Sequence, residues 1–237
     1  MGTRVGLLYT RFGSMAQALW SALRDDRHEV IRPEDLGFTP PLSAAAMLNF
    51  AELAAPDVLF CPFLKEIVPA PVCERWVTWI AHPGVRGDRG PSSLAWAILN
   101  REPTWGLTMV KAEPATGAQD LDGGNVGAWR EFPLPTDATM AEAYAQYVIP
   151  AAIACAREIL GQMATNPGYR GVPLAACLPA CPGQYRPALR QAELAFDWTL
   201  PAQEILPRVR AASCATSPSA TSPAPSSRSR ARWTTRS

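Results

Sequence analysis

Between residues 3 and 81 the chain alternates four short apolar, β-leaning runs with segments of helical period, and few architectures accept that order. The runs cover 3–10, 28–31, 57–61 and 77–81. The first lacks strict in–out alternation, which marks a strand covered on both faces. Between the runs, Ser14 can cap a helix whose apolar positions Met15, Leu19, Trp20 and Leu23 recur at helical spacing, and 44–54 reads as a second helix. Residues 105–111 and 126–131 supply a fifth and a sixth strand. This alternation predicts an α/β fold, Rossmann-like, with a mostly parallel sheet flanked by helices and right-handed crossovers. Residues 139–163 are helical and Ala-rich, and Pro150 should kink or split that helix.

Size and composition suit one α/β domain. Hydrophobic residues make up 48% of the 237 residues, and eight Trp supply material for a core. A formal charge of +1 gives no general attraction to nucleic acid or to an anionic membrane, so neither is expected as a partner. Arg228, Arg230, Arg232 and Arg236 lie in a tail without acidic residues, which leaves the preceding body at −3. The six cysteines, at 61, 73, 155, 177, 181 and 214, form no C-x-x-C pair. They read as incidental thiols in a reducing compartment, with no metal site. No apolar run approaches the ~20 residues of a membrane span, and the N-terminus lacks a signal peptide's basic and apolar regions. A cytoplasmic location follows as an expectation.

The chemistry concentrates in Ile80-Ala-His-Pro-Gly-Val-Arg-Gly-Asp-Arg-Gly-Pro-Ser-Ser93. His82 closes an apolar run, and a loop rich in Gly and Pro leads from it to an apolar-periodic segment at 92–100. The order reads as strand, active-site loop, helix. Open α/β sheets keep ligands at the carboxyl ends of their strands, and His suits proton transfer near pH 7. The only other histidine, His28, reads as a solvent-facing strand entrance. The glycines at 84–90 lack the Gly-Lys-Ser/Thr ending of a phosphate loop, and Phe12-Gly-Ser is no dinucleotide fingerprint. Asp88 and Arg89 read as a pair holding the loop, with Ser92 or Ser93 capping the next helix. On spacing alone, Asp122 before Gly123-Gly124 reads as an Asp capping a glycine turn.

The His82 loop, Phe12-Gly-Ser-Met-Ala-Gln17, Cys61-Pro-Phe-Leu-Lys-Glu-Ile-Val-Pro69, Leu121-Asp-Gly-Gly124 and Arg186-Pro-Ala-Leu-Arg-Gln191 together carry a resemblance. They resemble the 10-formyltetrahydrofolate-dependent formyltransferase superfamily and, within it, the N-terminal module of the HypX (HoxX) hydrogenase maturation factors. The likeness runs from Val5 to about Ala212. It implies a formyltransferase fold over 1–185, then a linker and helix over 186–212 opening a small C-terminal domain whose remainder is missing. Residues 213–237, almost all Ser, Ala, Thr, Pro and Arg, read as a disordered tail. Their abrupt start implies a truncated or frame-shifted reading frame, the alternative being a natural low-complexity terminus.

The resemblance also implies roles. Formyl transfer passes through an oxyanionic tetrahedral intermediate and needs a proton-managing group. His82 and Asp122 fall on the catalytic positions. Most formyltransferases have Asn where this chain has Ile80, so one oxyanion donor is absent, as in HypX-like proteins. The family implies 10-formyltetrahydrofolate as donor and coenzyme A as acceptor, with Arg130 and Arg190 for its phosphates and Gln17 and Gln191 beside them. It also implies hydrogenase assembly proteins and a separate hydratase-like domain, which turns formyl-CoA into carbon monoxide, as partners. Rival readings are transfer to an amino group of a sugar nucleotide or aminoacyl-tRNA, and an inactive folate-binding remnant.

Overall fold

The computed structural model describes residues 2–114, 122–178 and 183–212, and the 213–237 tail lies outside them. Six strands form one sheet: β1 (Arg4–Leu7), β2 (Glu29–Ile31), β3 (Val58–Cys61), β4 (Thr78–His82), β5 (Thr104–Lys111) and β6 (Val126–Pro133). Their order is β2-β1-β3-β4-β5-β6. The first four pair in parallel, while β5 runs against both β4 and β6, so β5 alone is reversed. A parallel neighbour needs a crossover long enough to return along the whole strand. Between β4 and β5 the chain forms only the eight-residue helix α4 (Ser93–Asn100) as regular structure and does not return, so His82 pairs with Thr108. The remaining helices are α1 (Ser14–Asp25), α2 (Ala44–Ala54), α3 (Ala70–Arg75), α5 (Met140–Ala143), α6 (Ile149–Thr165), α7 (Leu174–Cys177), α8 (Gln191–Leu194) and α9 (Ala202–Ala212).

Alternation along the strands divides the core between the two faces of the sheet. Val5, Leu7, Val58, Phe60, Trp79 and Ala81 join Leu19 and Leu23 of α1 and Ile159 of α6. Leu59, Cys61 and Ile80 join Met47 and Phe50 of α2 and Val72 of α3. A sheet covered on both faces is what the uninterrupted apolar run of β1 predicts.

The helix expected over 139–163 is interrupted, with a physical cause. Thr139 caps α5 through a reciprocal bond with Glu142, a π-helical turn spans Tyr144–Val148, and α6 starts with Pro150 in its first turn. Proline has no N–H to give the preceding turn, and the wider turn absorbs that break. Sequence periodicity did not reveal α3 or the 3₁₀ turn Pro33–Leu36, both too short to show a period.

Cys61, Cys73 and Cys155 are buried. Burial pushes the Cys73 thiol up to about 11 and that of Cys155 up to about 12, so both stay protonated near neutral pH. Cys181 and Cys214 lie outside the described residues. Among the described residues no cluster of His, Cys, Asp and Glu is arranged to hold a metal ion, and no helix is long and apolar enough to cross a membrane.

Candidate active site

His82 ends β4 with only 4% of its side chain exposed, and each ring nitrogen faces a carboxylate. Nδ1 lies 3.3 Å from Oδ2 of Asp122, and Nε2 lies 3.6 Å from Oδ2 of Asp88. Ser93 Oγ is 3.2 Å from Nε2 and donates to the Gly90 carbonyl. The Gly90 N–H in turn donates to Asp122 at 3.3 Å, tying the loop to the second carboxylate. Asp122 has a positive φ of 61°, in the left-handed region, and its backbone there is set by the turn before β6.

The loop after His82 is packed too tightly for side chains at two glycines. A Cβ on Gly84 would stand 2.4 Å from His82 Nε2. One on Gly90, at φ +102°, would stand 2.1 Å from the Arg186 carbonyl oxygen. β5 holds the same loop from beside it: Trp105 Nε1 donates to the Pro83 carbonyl and Thr108 Oγ1 to that of Gly84.

Charge at the site follows from this packing. Burial alone would pull the His82 pKa down, but Asp122 and Asp88 outweigh it and the imidazole is held above its ordinary 6.5. Burial would likewise raise Asp88, yet His82, Ser93 and Arg186 hold it below the usual 3.8. The packing therefore favours the charged form of the imidazole over the neutral one. Two linkage effects of opposite sign follow. Stability supplied by His82 is fully present below pH 6.5 and is lost as pH rises through the raised folded value. Stability supplied by Asp88 is present above pH 3.8 and is lost as pH falls through the lowered one. Thermal unfolding of the parent should therefore show a decline in stability above pH 6.5 that His82→Gln lacks; equal alkaline slopes in the two proteins would remove the imidazolium.

The site residues expected from sequence divide into a cluster and outliers. His82 and Asp122 come together. Ile80, two residues earlier on the same strand face, packs into the α2–α3 side of the core. Gln17 is exposed in the first turn of α1 and donates to the Phe12 carbonyl. Arg130, on β6, is engaged by Glu158 of α6 at 2.7 Å. Arg190 and Gln191 are exposed at the start of α8, where the Arg190 N–H donates to Glu193.

Several other residues take places that the sequence did not give them. Asp88 pairs with Arg186 rather than with Arg89, Nε to Oδ1 at 2.9 Å. Neither serine caps α4 through its side chain: Ser92 Oγ accepts the Leu189 N–H, and Ser93 turns to His82. Arg11 lines a cavity of about 310 Å³ together with Ser14, Met15, Phe63, Tyr144 and Ile149. Its walls come from the segments after β1 and β3 and from the π-helical turn, so cavity and His82 lie along the same edge, the carboxyl ends of the parallel strands. Asp88 and Arg186 stood within the quoted motifs, but nothing in their spacing paired residues 98 positions apart.

No family model matches the chain. The hydrogenase maturation factor HoxX of Bradyrhizobium diazoefficiens is 30% identical over 200 residues, covering 82% of this chain and 32% of HoxX. The crystal structure of HypX from Aquifex aeolicus in complex with tetrahydrofolic acid superposes with a TM-score of 0.79 at 29% identity, covering 91% of this chain and 35% of HypX. Methionyl-tRNA formyltransferase from Clostridium thermocellum shares the fold, with a TM-score of 0.60 at 12% identity over 87% of this chain and 82% of its own. By sequence and by fold, the chain is related to the HypX/HoxX hydrogenase maturation factors over about a third of their length, and it has the formyltransferase fold.

Proposed function

We propose that this chain transfers the formyl group of 10-formyltetrahydrofolate to coenzyme A, as one step in assembling a nickel–iron hydrogenase. The observation that carries this reading is the buried His82–Asp122 pair at the end of β4, in a chain similar to HypX with tetrahydrofolic acid bound. Attack of a thiol on the formyl carbon places negative charge on the carbonyl oxygen. An imidazolium donates a hydrogen bond to that oxyanion, and Asp122 supports its charge and orientation. Ile80 offers no polar group, so backbone N–H groups remain as further donors. When the intermediate collapses, His82 gives its proton to the departing folate nitrogen and recovers one from the coenzyme A thiol, so the charges balance over the cycle. Supply of carbon monoxide would fall to a hydratase-like partner acting on formyl-CoA.

The cavity beside α1 supports an elongated acceptor with an anionic end. Its walls at Met15, Ala16, Phe63 and Ile149 are apolar, and Arg11 stands among its lining residues, with Gln17 a turn further along α1. Ligand sites commonly combine such walls with a few polar groups. Arg130 and Arg190 are proposed as phosphate partners, with Gln191 beside them. For Arg130 an acceptor phosphate must displace Glu158.

The test is to incubate the chain with 10-formyltetrahydrofolate and, separately, coenzyme A, a sugar nucleotide amine and methionyl-tRNA. Formyl-CoA formation is expected. Arg130→Ala or Arg190→Ala should raise the KM for coenzyme A, at roughly 1.5–3 kcal/mol per charge-assisted hydrogen bond lost, and leave folate binding unchanged. Product with an amine alone overturns the acceptor, and folate binding without any product overturns the activity.

A further inference from the structure

We propose that Arg186 is a positioning residue: from a strap formed by residues 183–189, it sets the charge and orientation of His82 through Asp88. The proposal rests on His82 being the working group of the transfer reaction above. The strap lies along the His82 loop like an extra strand. The Gly183 N–H donates to the Arg86 carbonyl, the Arg89 N–H to that of Gln184, and the Arg186 N–H to that of Arg89 at 2.7 Å. Further along, Leu189 N–H donates to Ser92 Oγ and Trp96 Nε1 donates to the Pro187 carbonyl.

At the centre of this contact a buried ion pair reaches the histidine. Asp88 has a fully buried side chain. Its Oδ1 takes the Arg186 guanidinium at 2.9 Å and the Gln184 N–H at 3.3 Å. Its Oδ2 is buried without a hydrogen-bond partner and faces His82 Nε2 at 3.6 Å. One carboxylate thus divides its two oxygens between the strap and the imidazole. Arg186 is only 7% exposed, and its planar group stacks on Trp105 at 4.8 Å with Glu102 3.7 Å away. Stacking together with a directed N–H bond is a use of arginine that lysine does not reproduce.

Among the described residues, the ion pairs that reach His82 run through Asp122 on Nδ1 and Asp88 on Nε2, with Arg186 behind Asp88 and Glu102 behind Arg186. Arg86, in the same loop, is paired outward with Glu131. Arg186 therefore offsets part of the field that Asp88 exerts on His82 and fixes the side to which that carboxylate turns. A buried carboxylate that lost its cation would act on the imidazole at full strength.

The experiment is an NMR titration of the imidazole in the full chain. With two histidines present, the His82 signal is the one missing from His82→Gln. Arg186→Met should raise the His82 midpoint by about one pH unit, and Asp88→Asn should lower it by a similar amount. Arg186→Met leaves a buried charge uncompensated, so the double variant Asp88→Asn/Arg186→Met, which removes both, serves if the single one fails to fold. Its His82 midpoint should fall below the parent's, because Asp88 lies nearer the ring than Arg186 does. In assays, Arg186→Met should lower kcat while leaving the folate KM unchanged. A His82 midpoint equal to the parent's in the folded Arg186→Met protein, or in the double variant, overturns the proposal. The titration needs no substrate, so a parent without transferase activity would end the functional reading while the midpoints still decide the role of Arg186.

Discussion

His82→Ala is expected to abolish formyl transfer while tetrahydrofolate binding stays near the parent's, and Asp122→Asn to lower kcat by about 10²–10⁴-fold. The alanine variant removes the only imidazole at the site, since His28 lies across the sheet at the entrance to β2, where it accepts the Thr3 N–H. The asparagine variant keeps the shape of the side chain and replaces a charge by a dipole, so the imidazole loses both its orientation and part of its preference for the charged form. Single-turnover rates with a saturating donor, measured beside equilibrium folate binding, separate these effects from loss of the donor site. A parent-like rate in either variant removes that residue from the mechanism.

The largest expected effect on stability is at Trp79. Its side chain is fully buried in the middle of the sheet, its ring stands 6.1 Å from that of Tyr169, and it belongs to the cluster with Ile159 of α6. Trp79→Ala should cost about 3–5 kcal/mol, because the lost apolar contact is joined by a cavity that a rigid sheet cannot close. For a chain of this size that lowers Tm by about 10 °C. Denaturant unfolding with an unchanged m-value is the check, and a loss below about 1 kcal/mol would mean that the neighbouring residues had closed the gap.

Much of the frame was legible because each strand is a short apolar run and each long helix has a clear period. The reversal of β5 was not, since periodicity fixes which residues form a strand and not the direction in which the chain re-enters the sheet. The same limit governed the site. The place of His82 at a strand end was visible, and so was Asp122 as an Asp in a glycine turn that the family pattern picks out. Asp88 was read as holding its sequence neighbour, Arg89, and its true partner lies 98 residues on. Contacts of that range depend on how the strap folds back over the loop, which no local spacing records. Arg11 was missed for a related reason, because a cavity exists only once α1 and the π-helical turn stand face to face.

The left-handed backbone at Asp122 has a consequence for how such a chain can change. Asp and Asn are, after Gly, the residues that enter this conformation most readily. Glutamate offers the same acid on a longer stem and gains no such ease. The loop therefore accepts, almost indifferently, the carboxylate that chemistry at His82 needs and the amide that would silence it. On the reading proposed above, exchange of a single oxygen for an amino group separates a working loop from an idle one of the same shape.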